Sequence, residues 1–238
     1  MIRSFLFALL FFSCALVYAQ TEREITPLEA RVFFKEMAEQ YQSAWSFQTH
    51  YKSFAGESSN SALEEFKGIG EMSPTASYYE FPGTKVYSNE SWVIQIIEEE
   101  NRIYILKNKS QQANWLEKQF DEYLNYTSKI NEKSKSNGFK QIVLFFNEPF
   151  KIERAEYGVD TYGRISSVTM ISRYSSSLID GDFSEGNFQK SKITIDYFDY
   201  KKIDVLSHQV SDVVTKINEG WIGNGVYKNF EITELANF

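Results

Sequence analysis

The 238-residue chain is poor in the residues that announce chemistry: one cysteine, Cys14, two histidines, His50 and His208, and four prolines. Each shortage excludes something. Cys14 falls inside an amino-terminal leader, so the processed chain has no disulfide, no thiolate metal site and no cysteine nucleophile. Neither histidine sits in a motif and no Gly-x-Ser-x-Gly elbow is present, so no Ser-His-Asp set can be read. No Gly-Lys-Ser/Thr phosphate loop occurs. Gly68-Ile69-Gly70 is a lone Gly-x-Gly that reads as a bend within a strand. The longest apolar run, Phe5 to Phe12, is too short for a bilayer, which takes about 20 residues. Positive charge is also in deficit: the formal net charge of −7 argues against nucleic-acid binding, which needs a basic footprint.

What is present begins with the leader. Met1-Ile2-Arg3 is a basic start, the apolar run follows, and Val17 and Ala19 occupy the −3 and −1 positions of a cleavage site. Residues 1–19 read as a secretory signal cut between Ala19 and Gln20, which places the protein in the periplasm. Lipid anchoring at Cys14 fits less well, because Phe11-Phe12-Ser13 is not the small-residue box that a lipoprotein signal requires. Residues 20–238 show no repeat and no low-complexity linker, and read as a single domain.

Aromatic residues are abundant, at 16%, with 20 Phe and 15 Tyr. They suit pleated, half-buried strands. Thr26-Pro27 with Glu29 is a capping box with Pro at the first helical position, and Ala30, Phe33, Phe34, Met37, Tyr41 and Ala44 then recur at helical spacing. Short alternating strands are expected from Trp45 to Lys107, with turns at Pro82-Gly83, Asn89-Glu90 and Asn101. A second amphipathic helix is expected over 111–134. Strands follow over 142–146, 152–157, 164–174 and 192–200, with a Ser/Asp/Gly loop over 175–186. Residues 203–217 suit either strand or short helix, and a final strand is expected over 227–235. Strands and helices do not alternate, so the class is α+β. An antiparallel sheet curling around two helices is the natural arrangement.

Candidate sites are few. Asp180-Gly181-Asp182 with Glu185 lacks the spacing of a calcium loop and reads as solvated. Glu98-Glu99-Glu100 sits at a hairpin tip, where charge blocks edge pairing. Lys129, Lys133, Lys135 and Lys140 read as a solvated helix end, or less readily as a site for lipid headgroup phosphates. No catalytic residue, metal ligand or cofactor is expected. A hydrolase with a spatially formed carboxylate pair is the weakest reading. The feature above background is a set of apolar residues on strands: Tyr79, Phe81, Trp92, Ile94 and Ile96, then Ile103, Ile105, Ile193, Ile195 and Tyr197. In a closed sandwich they are core; in an open, curved sheet they line an apolar cavity.

The order of these elements resembles the LolA/LolB lipoprotein-carrier superfamily. The resemblance rests on Tyr78-Tyr79-Glu80-Phe81-Pro82, followed by Val86-Tyr87-Ser88-Asn89-Glu90-Ser91-Trp92-Val93-Ile94. Three carboxy-terminal stretches are similar to secreted LolA-like proteins of Bacteroidetes type: Ile193 to Tyr197, Val210 to Val214 and Val226 to Ile232. The resemblance implies an incomplete antiparallel β-barrel whose helices cover its concave face. It also implies non-covalent binding of acyl chains, with Leu116, Phe120 and Tyr123 of the second helix as lid. Two departures stand out. The turn carries Asn89-Glu90 where the carriers have Asp-Gly. No arginine lies between Arg31 and Arg102, where the carriers place one that holds the lid closed.

The function expected is therefore a periplasmic, non-enzymatic, monomeric carrier or binding protein for lipid or lipoprotein acyl chains. The alternative is a cell-envelope assembly protein with the same fold and a filled core, whose partners are envelope proteins. Intact mass of the exported protein is expected to correspond to a chain starting at Gln20; an acylated amino terminus at Cys14 would reverse that assignment.

Overall fold

The computed structural model describes residues 21–108, 115–134, 138–173, 190–218 and 220–235. The leader with Cys14, the acidic loop with Asp180, Asp182 and Glu185, and Lys135 lie outside the described residues.

Helix α1 (Pro27–Glu39) starts as its sequence dictates. The Thr26 hydroxyl accepts a hydrogen bond from the Glu29 amide at 3.3 Å, and the Glu29 carboxylate accepts one from the Thr26 amide at 2.8 Å. The apolar spacing predicts that this helix reaches Ala44. Instead a 3-10 turn (Gln40–Gln42) ends it, and Ala44 opens a strand. Helix α2 (Trp115–Asn125) is shorter than its sequence suggests. Its last turn is closed by the Tyr126 amide and the Thr127 hydroxyl, both donating to the Tyr123 carbonyl. From Thr127 the chain is extended, because β-branched Thr127 and Ile130 fit a pleated surface and Ile130 finds Leu144 opposite it. Lys129 and Lys133 therefore stand on a strand and not at a helix end.

Strands β1 (Thr21–Glu24), β2 (Ala44–Phe54), β3 (Glu64–Met72), β4 (Ser77–Phe81), β5 (Thr84–Ser88), β6 (Trp92–Ile97) and β7 (Arg102–Lys107) come first. They are followed by β8 (Thr127–Ser134), β9 (Lys140–Phe146), β10 (Ile152–Val159), β11 (Ile165–Ser172) and β12 (Lys192–Ile203). The ambiguous stretch resolves as both elements: a single turn, α3 (Val210–Val213), runs straight into β13 (Val214–Ile217). Strand β14 (Gly220–Gly223) pairs with β13, and β15 (Glu231–Glu234) ends the described chain. Among the described residues, thirteen strands form one sheet in the order β1-β8-β9-β10-β11-β12-β2-β3-β4-β5-β6-β7-β15. All neighbours are antiparallel except β15, which lies parallel to β7. The two outermost strands are not paired to each other, so the fold is a curved, unclosed antiparallel sheet with few helices, an incomplete barrel.

Register assigns every strand residue to one of two faces, because directly opposed residues share a face. On the inner face, Phe47, Met72, Tyr157, Ile142 and Leu144 pack with Phe34 and Met37 of α1 and Phe120 and Leu124 of α2. The Phe34 and Phe120 rings stack at 3.8 Å and fix the two helices to each other. On the outer face, Tyr78, Tyr87, Ile94, Ile96, Ile103 and Ile105 pack under Val210, Val213, Val214 and Tyr227. Each of these isoleucines is 0% exposed, and burying one stabilises the fold by about 1.5–3 kcal/mol. The outer core is fastened at its start by Glu71, whose carboxylate accepts from the Ser207 amide at 2.7 Å, while the Tyr78 and His208 rings stack at 3.9 Å.

β3 keeps an unbroken register with β2 through Gly68 and Gly70, and the two glycines make room on its inner face. A Cβ on Gly70 would overlap the Phe47 ring, and one on Gly68 would lie 2.7 Å from Phe81 Cδ1. Gly70→Ala is accordingly expected to cost about 1–3 kcal/mol in urea unfolding, through overpacking against Phe47.

The amino-terminal cap gives a second expectation. Thr26→Ala should cost about 1 kcal/mol. The Thr26 amide first, then Arg23, hold the Glu29 carboxyl down at about 2 from an ordinary 4.5. A carboxyl lowered on folding stabilises fully above its unfolded value and loses that contribution as pH falls through its folded value. The urea midpoints of wild type and Glu29→Gln should therefore differ at neutral pH and converge between pH 4.5 and 2.

Candidate functional site: the inner face of the open sheet

The ten apolar residues singled out in the sequence do not line one surface. Tyr79, Phe81, Ile193, Ile195 and Tyr197 are on the inner face, as the pairings Gly70↔Tyr79, Ile195↔Tyr51 and Tyr197↔Thr49 require. Trp92, Ile94, Ile96, Ile103 and Ile105 are on the outer face, since Tyr87↔Ile94↔Ile105 and Lys85↔Ile96↔Ile103 are continuous rows. Those five belong to the sealed outer core, where Trp92 meets Trp221 edge-on at 4.8 Å. The reason is visible in the strands: β6 and β7 carry apolar residues at both parities, and the carboxy-terminal segment covers the parity that ends fully buried.

The inner face has two zones. Under α1 and α2 it is filled. From β12 through β2 to β7 it continues as an apolar wall that is only half-buried: Tyr51, Phe66 and Phe81, flanked by Ile193 and Ile195, then Val86, Val93 and Leu106. Tyr51 and Phe66 stack at 4.4 Å, and Phe66 meets Phe81 edge-on at 5.5 Å. Half-exposed aromatic rings in a continuous row are the pattern of a surface that takes up an apolar ligand.

Between the zones lies a group of phenols. The Tyr41 and Tyr200 hydroxyls are 3.1 Å apart; Tyr200 donates to the Ile165 carbonyl at 2.7 Å, and the Ile165 amide donates to Tyr41 at 3.0 Å. This closed circuit joins the end of α1 to β11 and β12. Tyr79, Tyr157 and Tyr197 lie alongside. Burial raises all five phenols above their ordinary value, Tyr197 to about 12. At neutral pH they are uncharged hydrogen-bonding groups. Sequence reasoning picks out Tyr79 and Tyr197 but misses Tyr157, although Ala155, Tyr157 and Val159 alternate with polar neighbours.

Of the three lid residues, Phe120 is buried against Phe34 and Tyr157, and Tyr123 packs on Phe146 and Phe150. Leu116 lies on α2, but its side chain is outside the described ones. Arg31 pairs with Asp121 at 2.9 Å and so ties α1 to α2 from the outside, both groups being about half exposed. The Asn89-Glu90 turn is held by Asn89, whose side-chain oxygen accepts from the Ser91 and Trp92 amides. Beside α1, a cavity of about 330 Å³ carries Glu36, Glu39 and Asp160 among Phe33, Met37 and Val159, a mixed lining. Among the described residues no three His, Cys, Asp or Glu side chains gather as a metal set.

No family model matches the chain, and no curated protein does. Solved structures do. An uncharacterized conserved protein from Thermus thermophilus is similar, with TM-score 0.49 and 10% identity, over 87% of this chain and 99% of the other. A LolA superfamily protein from Nitrosomonas europaea gives a TM-score of 0.36 at 9% identity, over 74% of this chain and 94% of its own. A DUF1329 family protein from Desulfovibrio piger gives 0.32 at 15% identity, over 77% and 96%.

Proposed function

We propose that this protein is a non-enzymatic carrier or binding protein of the cell envelope that holds a lipid or lipoprotein acyl chain against the inner wall of its open sheet. The observation that carries the reading is the contrast between the two faces. The outer core is closed by the carboxy-terminal segment, whereas the inner row Tyr51, Phe66, Phe81 with Ile193 and Ile195 continues from the helix-covered core as apolar, half-exposed surface. Each methylene of an acyl chain laid on that wall gains about 0.8 kcal/mol. Helix α2, with Leu116, Phe120 and Tyr123, acts as the lid. Its outside tie, Arg31 to Asp121, is a surface ion pair worth under about 1 kcal/mol, weak enough to open. The secretory leader supports a periplasmic setting, and the sequence resemblance to lipoprotein carriers points to the same ligand class.

One observation favours the alternative of an envelope assembly protein. The outward side of the β13–β14 hairpin exposes Ile217 and Ile222, and Val226 beside it is 82% exposed, an apolar patch fit for a protein partner. Native mass spectrometry of protein purified from periplasm without detergent separates the two. A bound acyl mass is expected, lost in Phe81→Glu and Ile195→Glu and retained in Ile222→Glu. Protein that stays ligand-free when lipid is offered would overturn the carrier reading.

A further inference from the structure

Four hydroxyls on the inner face have no partner among the described residues. Thr49 is 1% exposed, and its Oγ1 makes no hydrogen bond. Tyr79, Tyr157 and Tyr197 make none either, unlike Tyr41 and Tyr200, which satisfy each other and the Ile165 backbone. Register brings Thr49, Tyr79 and Tyr197 together. Thr49 lies directly opposite Tyr197 on β12 and opposite Gly68 on β3. Tyr79 faces Gly70, one inner-face position along β3. The Phe47 ring stands between Tyr79 and Tyr197, 5.9 Å from one and 5.7 Å from the other. Tyr157 stands apart, on β10 beyond β11, where it packs against Phe34 and Phe120.

A buried hydroxyl without a partner is costly, and Val or Phe would fill the same volume without that cost. Thr49 breaks that rule in full burial, beside half-buried phenols that no group among the described residues engages, and a local rule broken in this way marks a site. The charge around it is equally informative. The inner-face neighbours of Thr49, Tyr79 and Tyr197 in the ladders are Phe47, Tyr51, Gly68, Gly70, Val86 and Ile195, all uncharged. Arg164, which sits over the Tyr200 ring, is held by Asp160 at 2.7 Å and neutralised there. A carboxylate or phosphate brought here would lose its hydration without gaining a counter-charge. A carbonyl oxygen is different: it has two lone pairs, no charge, and needs only donors.

We infer that Thr49, Tyr79 and Tyr197 form a headgroup subsite for the uncharged carbonyl end of an ester- or amide-linked acyl chain, whose tail runs along Tyr51, Phe66 and Phe81. The inference rests on the acyl-binding reading and adds the chemistry that selects among acyl ligands. Neutral esters and amides are taken; free fatty acids in their ionised form are refused.

The test uses the mature protein and three probes: the apolar fluorophore 1-N-phenylnaphthylamine, mono-oleoylglycerol as a neutral ester, and oleate as an anion. At neutral pH, mono-oleoylglycerol is expected to displace the fluorophore, with oleate roughly tenfold weaker or more. Tyr79→Phe and Tyr197→Phe should each weaken mono-oleoylglycerol roughly 3- to 10-fold, while direct fluorophore binding is unchanged. Thr49→Val should weaken the ester similarly and raise the melting temperature of the ligand-free protein, since it removes an unpaired buried hydroxyl. Unchanged ester affinity in the tyrosine variants, or oleate competing as well as the ester, overturns the subsite. Equal loss of ester and fluorophore binding assigns the tyrosines a structural role and also overturns it. Failure of wild type to bind either fluorophore or ester overturns the acyl-binding reading itself.

Discussion

The pairing of β2 with β12 is the constraint on which everything else depends. These are the two longest strands among the described residues, and they join residues 44–54 to residues 192–203. The strands of the middle of the chain close into one sheet only when this ladder forms. Bringing its ends together costs loop-closure entropy over about 150 residues before any contact offsets it. The ladder is correspondingly rich in side chains that hold both halves at once. Phe47 contacts Tyr79, Tyr197 and Tyr200, and Trp45 meets Tyr200 edge-on. The same ladder places Thr49 opposite Tyr197, so the fold's seam and its proposed headgroup subsite are one piece of structure.

The sheet treats its two faces differently, and that asymmetry follows from what each has for cover. The outer face of β4 to β7 is covered by a segment of the same chain that docks continuously, from the Glu71 contact at Ser207 to the parallel strand β15. The inner face is covered by two helices that together span only part of a thirteen-strand sheet. Apolar side chains beyond their reach stay half-exposed. An incomplete barrel with too little helix to fill it therefore keeps part of its inner wall apolar and open to solvent.

Legibility in the sequence tracks the range of the interaction. The Thr26–Glu29 capping box and the Pro82-Gly83 turn involve neighbours in the chain, and both are readable. The end of α2 is not, because Ile130 fits the helical stripe of Phe120 and Tyr123 as well as it fits a strand; its partner Leu144 decides, and that pairing is not local. The face chosen by β6 and β7 is equally hidden. Ile94 and Val93 are both apolar, and only the arrival of Val213 and Tyr227, more than a hundred residues on, seals one parity. Of the headgroup hydroxyls, Tyr79 and Tyr197 stand out as aromatics on strands. Thr49, alternating between Phe47 and Tyr51, is legible as inward-facing but not as unpaired, since that depends on the absence of any donor or acceptor across three strands.

Strand β1 has the sequence Thr-Glu-Arg-Glu, with every residue exposed, and is laced to its neighbour by charge: Arg23 to Glu132, Glu22 to Asn131 and Glu24 to Lys129. At the opposite rim, β15 is four residues long and begins and ends in glutamate. An unclosed sheet of this width has two rows of free backbone amides and carbonyls, each a template for strand addition. Short, charged rims deny that template to a second copy. The fold can thus leave an apolar inner wall uncovered while its two rims offer little for a further strand to pair with.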